Sequence, residues 1–146
     1  MVVRITKVLE IALQEDGLDP LLFAEDFAHW KSGDEYGSYF FGKDCAYIKP
    51  DVDGVPYVLR HVHLVPLGDE DQLIKWNKNW KFQTRKTSDR ALVYVSDEKG
   101  NHLLIFILDE PDAHDIAAMK TAEHREIMEG LAHVAAAFID TGRRLN

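Results

Sequence analysis

The chain has 146 residues, 17 Lys+Arg against 25 Asp+Glu, and a formal net charge of -8. With 46% hydrophobic and 29% charged residues, residues 1–146 read as one folded domain, which excludes a disordered chain. The acidity excludes a uniformly basic nucleic-acid binder, though not a local basic patch.

Cys45 is the one cysteine, so no internal disulfide framework is possible. Its expected role is a half-buried small hydrophobe. The start, Met1 to Lys7, carries charges and no apolar signal region. No stretch approaches the ~18 apolar residues of a membrane helix. A cytoplasmic protein with no membrane partner is expected.

Val3 and Ile5 alternate with polar residues, as in a strand, while Ile5, Val8, Leu9, Ala12 and Leu13 also fit a helical face. We read residues 2–13 as a strand. Asp19-Pro20 supplies an N-cap and a first-turn proline, opening a helix with Leu22, Phe23, Phe27 and Trp30 on one face. Ser32-Gly33 stops it. Residues 33–54, rich in Gly, Asp and aromatics, read as loops and short extended pieces.

Tyr57 to Val65 reads as a strand and Asp69 to Gln83 as a short helix. Residues 91–95 and 102–108 are the strongest strands, joined by the turn-forming run 97–101. The run Leu103 to Leu108 is apolar on both faces and predicts a strand covered on both sides. After Pro111-Asp112, a helix follows with Ile127, Leu131, Val134 and Phe138 as its apolar stripe and Gly142 as its C-cap. The expected fold is α+β: a small antiparallel sheet with an N-terminal and a C-terminal helix.

Lys75, Lys78, Lys81, Arg85, Lys86 and Arg90 fall within 16 residues whose one acid is Asp89. That segment is +5, which leaves -13 for the rest. Trp76, Trp80 and Phe82 are interleaved with the cations. Phosphates need cations, and unpaired bases need flat faces to stack on. The plainer alternative is a solvated helix whose tryptophans pack on the core, and the segment alone weighs the two equally.

His61 and His63 flank Val62, so alternation along a strand points both imidazoles to one side. Packed structural histidines are the plain reading. Acid–base work is the second. A metal pair is the third, without a third ligand at a recognisable spacing. His114 follows Asp112, whose plain role is an N-cap. His124 borders the apolar stripe, and His29, His102 and His133 carry no signal.

Several pieces follow one another in a recognisable order. Phe41-Gly42-Lys43-Asp44 and Tyr47 precede His61-Val62-His63-Leu64. Arg85-Lys86-Thr87-Ser88-Asp89, Leu92-Val93-Tyr94 and Leu103 to Leu108 come next. Pro111-Asp112-Ala113-His114 and a helix with His124, Met128 and Phe138 complete the series. Over residues 20 to 140 the chain resembles the YafO family of bacterial type II toxins.

The resemblance implies a RelE-like fold and a ribosome-dependent mRNA interferase neutralised by a cognate antitoxin. Ribosome and mRNA are then partners. No metal or cofactor is expected, because the RNA's own 2′-OH is the nucleophile. The resemblance supports the positions of His61, His63, Asp89 and His114, and the chemistry of such a cleavage suits His61, His63 and His114 to proton transfer, Arg85 to stabilising the phosphate and Asp89 to orienting a neighbour. Lys75, Trp76, Lys78, Trp80, Lys81, Lys86 and Arg90 would hold RNA. A non-catalytic interaction protein on the same fold, its acidic surface serving a protein partner, is the alternative.

Overall fold

A computed structural model describes residues 1–144, with the side chains of 143 and 144 left aside. Strand β1 (Val3–Ile5) leads into helix α1 (Lys7–Glu15), and helix α2 (Pro20–Lys31) follows. A 3-10 turn (Glu35–Gly37) precedes the antiparallel strands β2 (Phe41–Ala46) and β3 (Arg60–Leu64). Helix α3 (Glu70–Lys81), strands β4 (Ala91–Ser96) and β5 (His102–Leu108), then helices α4 (Ala113–Ala117) and α5 (Ala122–Arg144) complete the chain. The sheet order is β1-β5-β4-β3-β2. Every neighbouring pair is antiparallel except β1 and β5, which run parallel, so the sheet is mostly antiparallel and the domain α+β, as expected.

The segment 2–13 is a strand for three residues only. Thr6 then caps α1 by accepting from Leu9 N–H, and the helical spacing of Leu9 and Leu13 takes over. Both periodicities were present, each on its own stretch. Helix α2 starts as expected, with Asp19 accepting from Leu21 N–H and proline in the first turn. The Asp97 carboxylate accepts from the Lys99 and Asn101 amides, closing the β4–β5 turn.

Leu9, Leu13, Phe27 and Trp30 cover one sheet face through Val62, Leu92, Tyr94 and Leu104. Met128, Leu131, Ala132 and Ala135 of α5 cover the other through Val93, Val95 and Ile105. Strand β5 is therefore buried from both sides, as its unbroken apolar run requires. The α5 stripe is corrected: Ile127 and Val134 are exposed, and small Ala132 and Ala135 take the core side. Gly142 lies inside α5 and caps nothing.

Strand β3 is shorter than expected, because Tyr57 adopts a left-handed φ of 67° that extended chain does not allow. Strand β2 is one of the short extended pieces expected in residues 33–54. It bulges between Phe41 and Asp44, where Lys43 N–H donates to the Lys86 carbonyl. A Cβ on Gly42 would lie 2.4 Å from the Lys86 carbonyl oxygen and 2.8 Å from the Trp76 ring. Only glycine fits there. Gly42→Ala is expected to cost about 1–3 kcal/mol in a denaturant melt, and an unchanged midpoint would refute the tight contact.

Behind this strand, on the α1–α2 face, Asp44 accepts from Lys31 Nζ at 2.6 Å and from Tyr94 OH at 2.5 Å. Arg60 Nε donates to the same tyrosine oxygen at 3.1 Å. Burial alone would push the Asp44 carboxyl up. The hydrogen bonds from Lys31 and Tyr94 and the two cations outweigh burial and hold it below its ordinary value. The network ties α2 to β2, β3 and β4.

Candidate active site

His61 and His63 emerge from β3 on the sheet face opposite Val62 and Leu64. Their ring centroids are 5.4 Å apart. His114, in the first turn of α4, brings its ring centroid to 5.8 Å from that of His63. The three histidines thus share one surface, although His114 lies on a different element. The ring of Tyr47, just past β2, stacks on His61 with centroids 4.0 Å apart and planes 10° apart.

Asp89 organises His114. Its Oδ1 accepts from His114 backbone N–H at 2.8 Å and lies 2.7 Å from His114 Nδ1. Among the described residues Asp112 makes no capping hydrogen bond, and Asp89 supplies the α4 cap from the neighbouring segment. The His114 side chain is 67% exposed and that of Asp89 15% exposed. A carboxylate at Nδ1 favours the tautomer with its proton there and the lone pair on Nε2.

Asp89 is held in turn. Its backbone N–H donates to Gln72 Oε1 at 2.7 Å. Gln72 Nε2 donates to Asp69 Oδ2 at 2.9 Å, and Asp69 caps α3. The start of α3 is therefore wired to the histidine face. Ser88 anchors His63: its backbone N–H lies 2.9 Å, and its carbonyl oxygen 2.8 Å, from His63 Nδ1. A neutral Nδ1 can accept from the amide, and a protonated one can donate to the carbonyl.

Burial, then the neighbouring His63 charge, lowers His61 to about 3. Burial lowers His63 to about 4, against the Ser88 hydrogen bond, with His114, Lys43 and Arg85 adding to the depression. Both are neutral near pH 7. His61 Nδ1 is buried and has no hydrogen-bond partner among the described residues. Such an orphan atom costs stability, and sites that act on a substrate are where it is tolerated.

These shifts have a sign that can be measured. The unfolded histidines protonate near 6.5 and the folded ones at about 4 and about 3. Their contribution is complete above about pH 6.5 and is lost as pH falls towards those folded values. Thermal melts of wild type should weaken across that window. His61→Phe keeps the Tyr47 stack and removes both the orphan nitrogen and the titration. It should melt higher than wild type below about pH 6. Parallel pH curves for the two proteins would contradict the assignment.

The remaining expected site residues divide. Arg85 is exposed at the sheet edge, its Nε donating to Glu35 Oε1 at 3.0 Å. Lys75, Lys78 and Lys81 are exposed on α3. Trp80 is half-buried against Tyr39, ring centroids 5.8 Å apart.

Trp76, Lys86 and Arg90 are corrected. Trp76 is fully buried and donates to the Tyr39 carbonyl at 2.8 Å. Lys86 is buried with its ammonium over the Trp76 and Trp80 rings, bonded to the Ser38 and Tyr39 carbonyls. Burial lowers it to about 8. Arg90 is buried and bound to Asp109 and to the Val65 carbonyl. None of the three offers a free face to RNA. Phe82, 62% exposed beside the Lys81 ammonium, is more open than the half-buried Trp80.

Residues 28–140, well over half of the chain, match the family described as toxin YafO, type II toxin-antitoxin system. The chain belongs to the YafO toxin family. No curated protein and no solved structure matches it. Membership makes it the toxin of a type II pair and implies a cognate antitoxin. The matched span contains every histidine of the cluster and all of α3.

Lys43, Tyr47 and Gln72 are the site neighbours of this YafO-family chain that sequence reasoning left without a role. Gln72 had a weak signal in its capping spacing from Asp69. Lys43 and Tyr47 had none beyond their place in the ordered motifs. Among the described residues, no three His, Cys, Asp or Glu side chains form a metal-binding group, and no helix is long and apolar enough to cross a membrane.

Proposed function

We propose that this toxin is a metal-independent endoribonuclease that cuts mRNA on the translating ribosome in the cytoplasm. The observation that carries the reading is the Asp89–His114 pair set beside His63 and His61 on one sheet face. Cleavage by the 2′-oxygen needs a base for the 2′-OH, an acid for the departing 5′-oxygen and cations at the phosphate.

His114 Nε2 is the base, since Asp89 holds the proton on Nδ1 and stabilises the imidazolium that forms. The freed 2′-oxygen attacks phosphorus, and the bond from phosphorus to the 5′-oxygen breaks. His63 is the acid. Its depressed proton affinity rises when a phosphate settles beside it, and the Ser88 carbonyl is ready to accept from protonated Nδ1. Nε2 then gives its proton to the 5′-oxygen. His61 supports the site by its position beside His63. Lys43, whose charge reaches both histidines, and Arg85 stabilise the phosphate. Lys75, Lys78, Lys81, Trp80 and Phe82 supply the RNA track.

The test is induced expression followed by mapping of mRNA ends. Growth arrest with cuts confined to translated messages supports the reading. Arrest-free growth with intact mRNA would overturn it and leave the non-catalytic alternative.

A further inference from the structure

A second surface lies on the sheet face away from the histidines. Phe23, Phe41, Leu64 and Ile107 floor a groove of about 550 Å³. That volume falls within the ~300–1,000 Å³ range of ligand clefts. Leu18, Phe40 and Leu67 wall it and are 47%, 60% and 66% exposed. Apolar side chains so grouped and so open mark a surface that is covered in function.

The rim decides what covers it. Asp16, Asp26 and Asp109 stand around the groove, and among the described residues the one cation lining it, Arg90, is already bound to Asp109 and to the Val65 carbonyl. The rim is therefore acidic around an apolar floor. It repels nucleic acid and anionic lipid, and it complements an apolar segment flanked by Lys or Arg.

We propose that this groove is the docking site for a basic, amphipathic segment of the cognate antitoxin. The proposal rests on membership of a toxin–antitoxin family and not on the cleavage chemistry. Leu64 points into the groove while His61 and His63 point to the other face. A segment seated here anchors the partner without itself filling the histidine site.

The experiment titrates the full chain with an amphipathic helical peptide of Leu and Lys, and with its Leu and Glu counterpart. Binding is followed by calorimetry and by backbone amide shifts. The Leu–Lys peptide should bind saturably, with shifts centred on Leu18, Phe40 and Leu67. The Leu–Glu peptide should bind at least about tenfold more weakly. Phe40→Ser with Leu67→Ser, and separately Asp26→Lys, should each weaken the Leu–Lys peptide by about tenfold or more.

No binding, equal binding of both peptides, shifts spread over the acidic surface, or unchanged affinity in both variants would overturn the proposal. So would a dimer in sedimentation that Phe40→Ser dissolves, or Phe40-dependent binding to phosphatidylcholine vesicles. Both variants should retain wild-type mRNA cleavage. Absence of cleavage in wild type would strike the ribonuclease reading and leave the groove untouched.

Discussion

His114→Ala should slow mRNA cleavage by about 10²–10⁴-fold, the usual contribution of a positioned acid or base, and leave the melting curve close to wild type. The side chain is 67% exposed, so little packing is lost. Asp89→Asn tests whether the carboxylate acts through the imidazole. An asparagine oxygen can still accept the His114 backbone N–H, so the α4 cap survives. The same oxygen still accepts from Nδ1–H, so the tautomer is kept, but a neutral amide cannot stabilise the imidazolium as a carboxylate does. The expected result is a reduced rate with a changed pH profile on a folded protein. An unaltered pH–rate profile would mean that Asp89 serves the fold alone. Gln72→Ala should give a weaker version of the same change, since Gln72 fixes the Asp89 backbone.

The second large effect is expected at Trp76. Trp76→Ala should destabilise the protein by about 3–5 kcal/mol, the usual cost of deleting a buried large aromatic side chain. The ring is fully buried, its Nε1–H donates to Tyr39, and Lys86 and Gly42 pack against it. Trp80→Ala, one helical turn on and half-buried, should cost markedly less and weaken RNA association instead. Equilibrium unfolding of the two variants separates these roles. Comparable small losses for both would contradict the burial argument. Trp76→Phe, which keeps most of the ring and loses the donor, should fold and retain function.

The contrast between Trp76 and Trp80 shows where sequence reading reaches its limit. Helical spacing puts both rings on one face and does not say where the core ends. Lys86 and Arg90 were expected outside because isolated charges are costly to bury. Carbonyls and two indole rings satisfy Lys86, and Asp109 satisfies Arg90, partners that are remote in sequence. Strand β2 reads as no more than a short extended piece for a related reason. It is an edge strand with a bulge, and its glycine is demanded by Trp76 and Lys86, not by a turn.

Local signals fared better. Asp19-Pro20 opens α2, and the apolar runs of β4 and β5 flank an Asp-bracketed turn. The one-sided placement of His61 and His63 follows from strand alternation alone. The approach of His114 does not, because Asp89 and His114 are 25 residues apart and meet only through tertiary packing. On α5 the apolar stripe was drawn through large side chains, while the close-packed side uses alanines that carry little hydrophobic weight in a sequence.

In the proposed reaction the RNA's own 2′-oxygen is the nucleophile and histidines move the protons. The chemistry of the cut ends tests it most directly. In a translating extract, wild type should leave upstream fragments ending in a 2′,3′-cyclic phosphate and downstream fragments beginning with a 5′-hydroxyl. A variant carrying both His61→Ala and His114→Ala should leave neither. Fragments with 3′-hydroxyl and 5′-phosphate ends, or cuts that persist unchanged in the double variant, would contradict it.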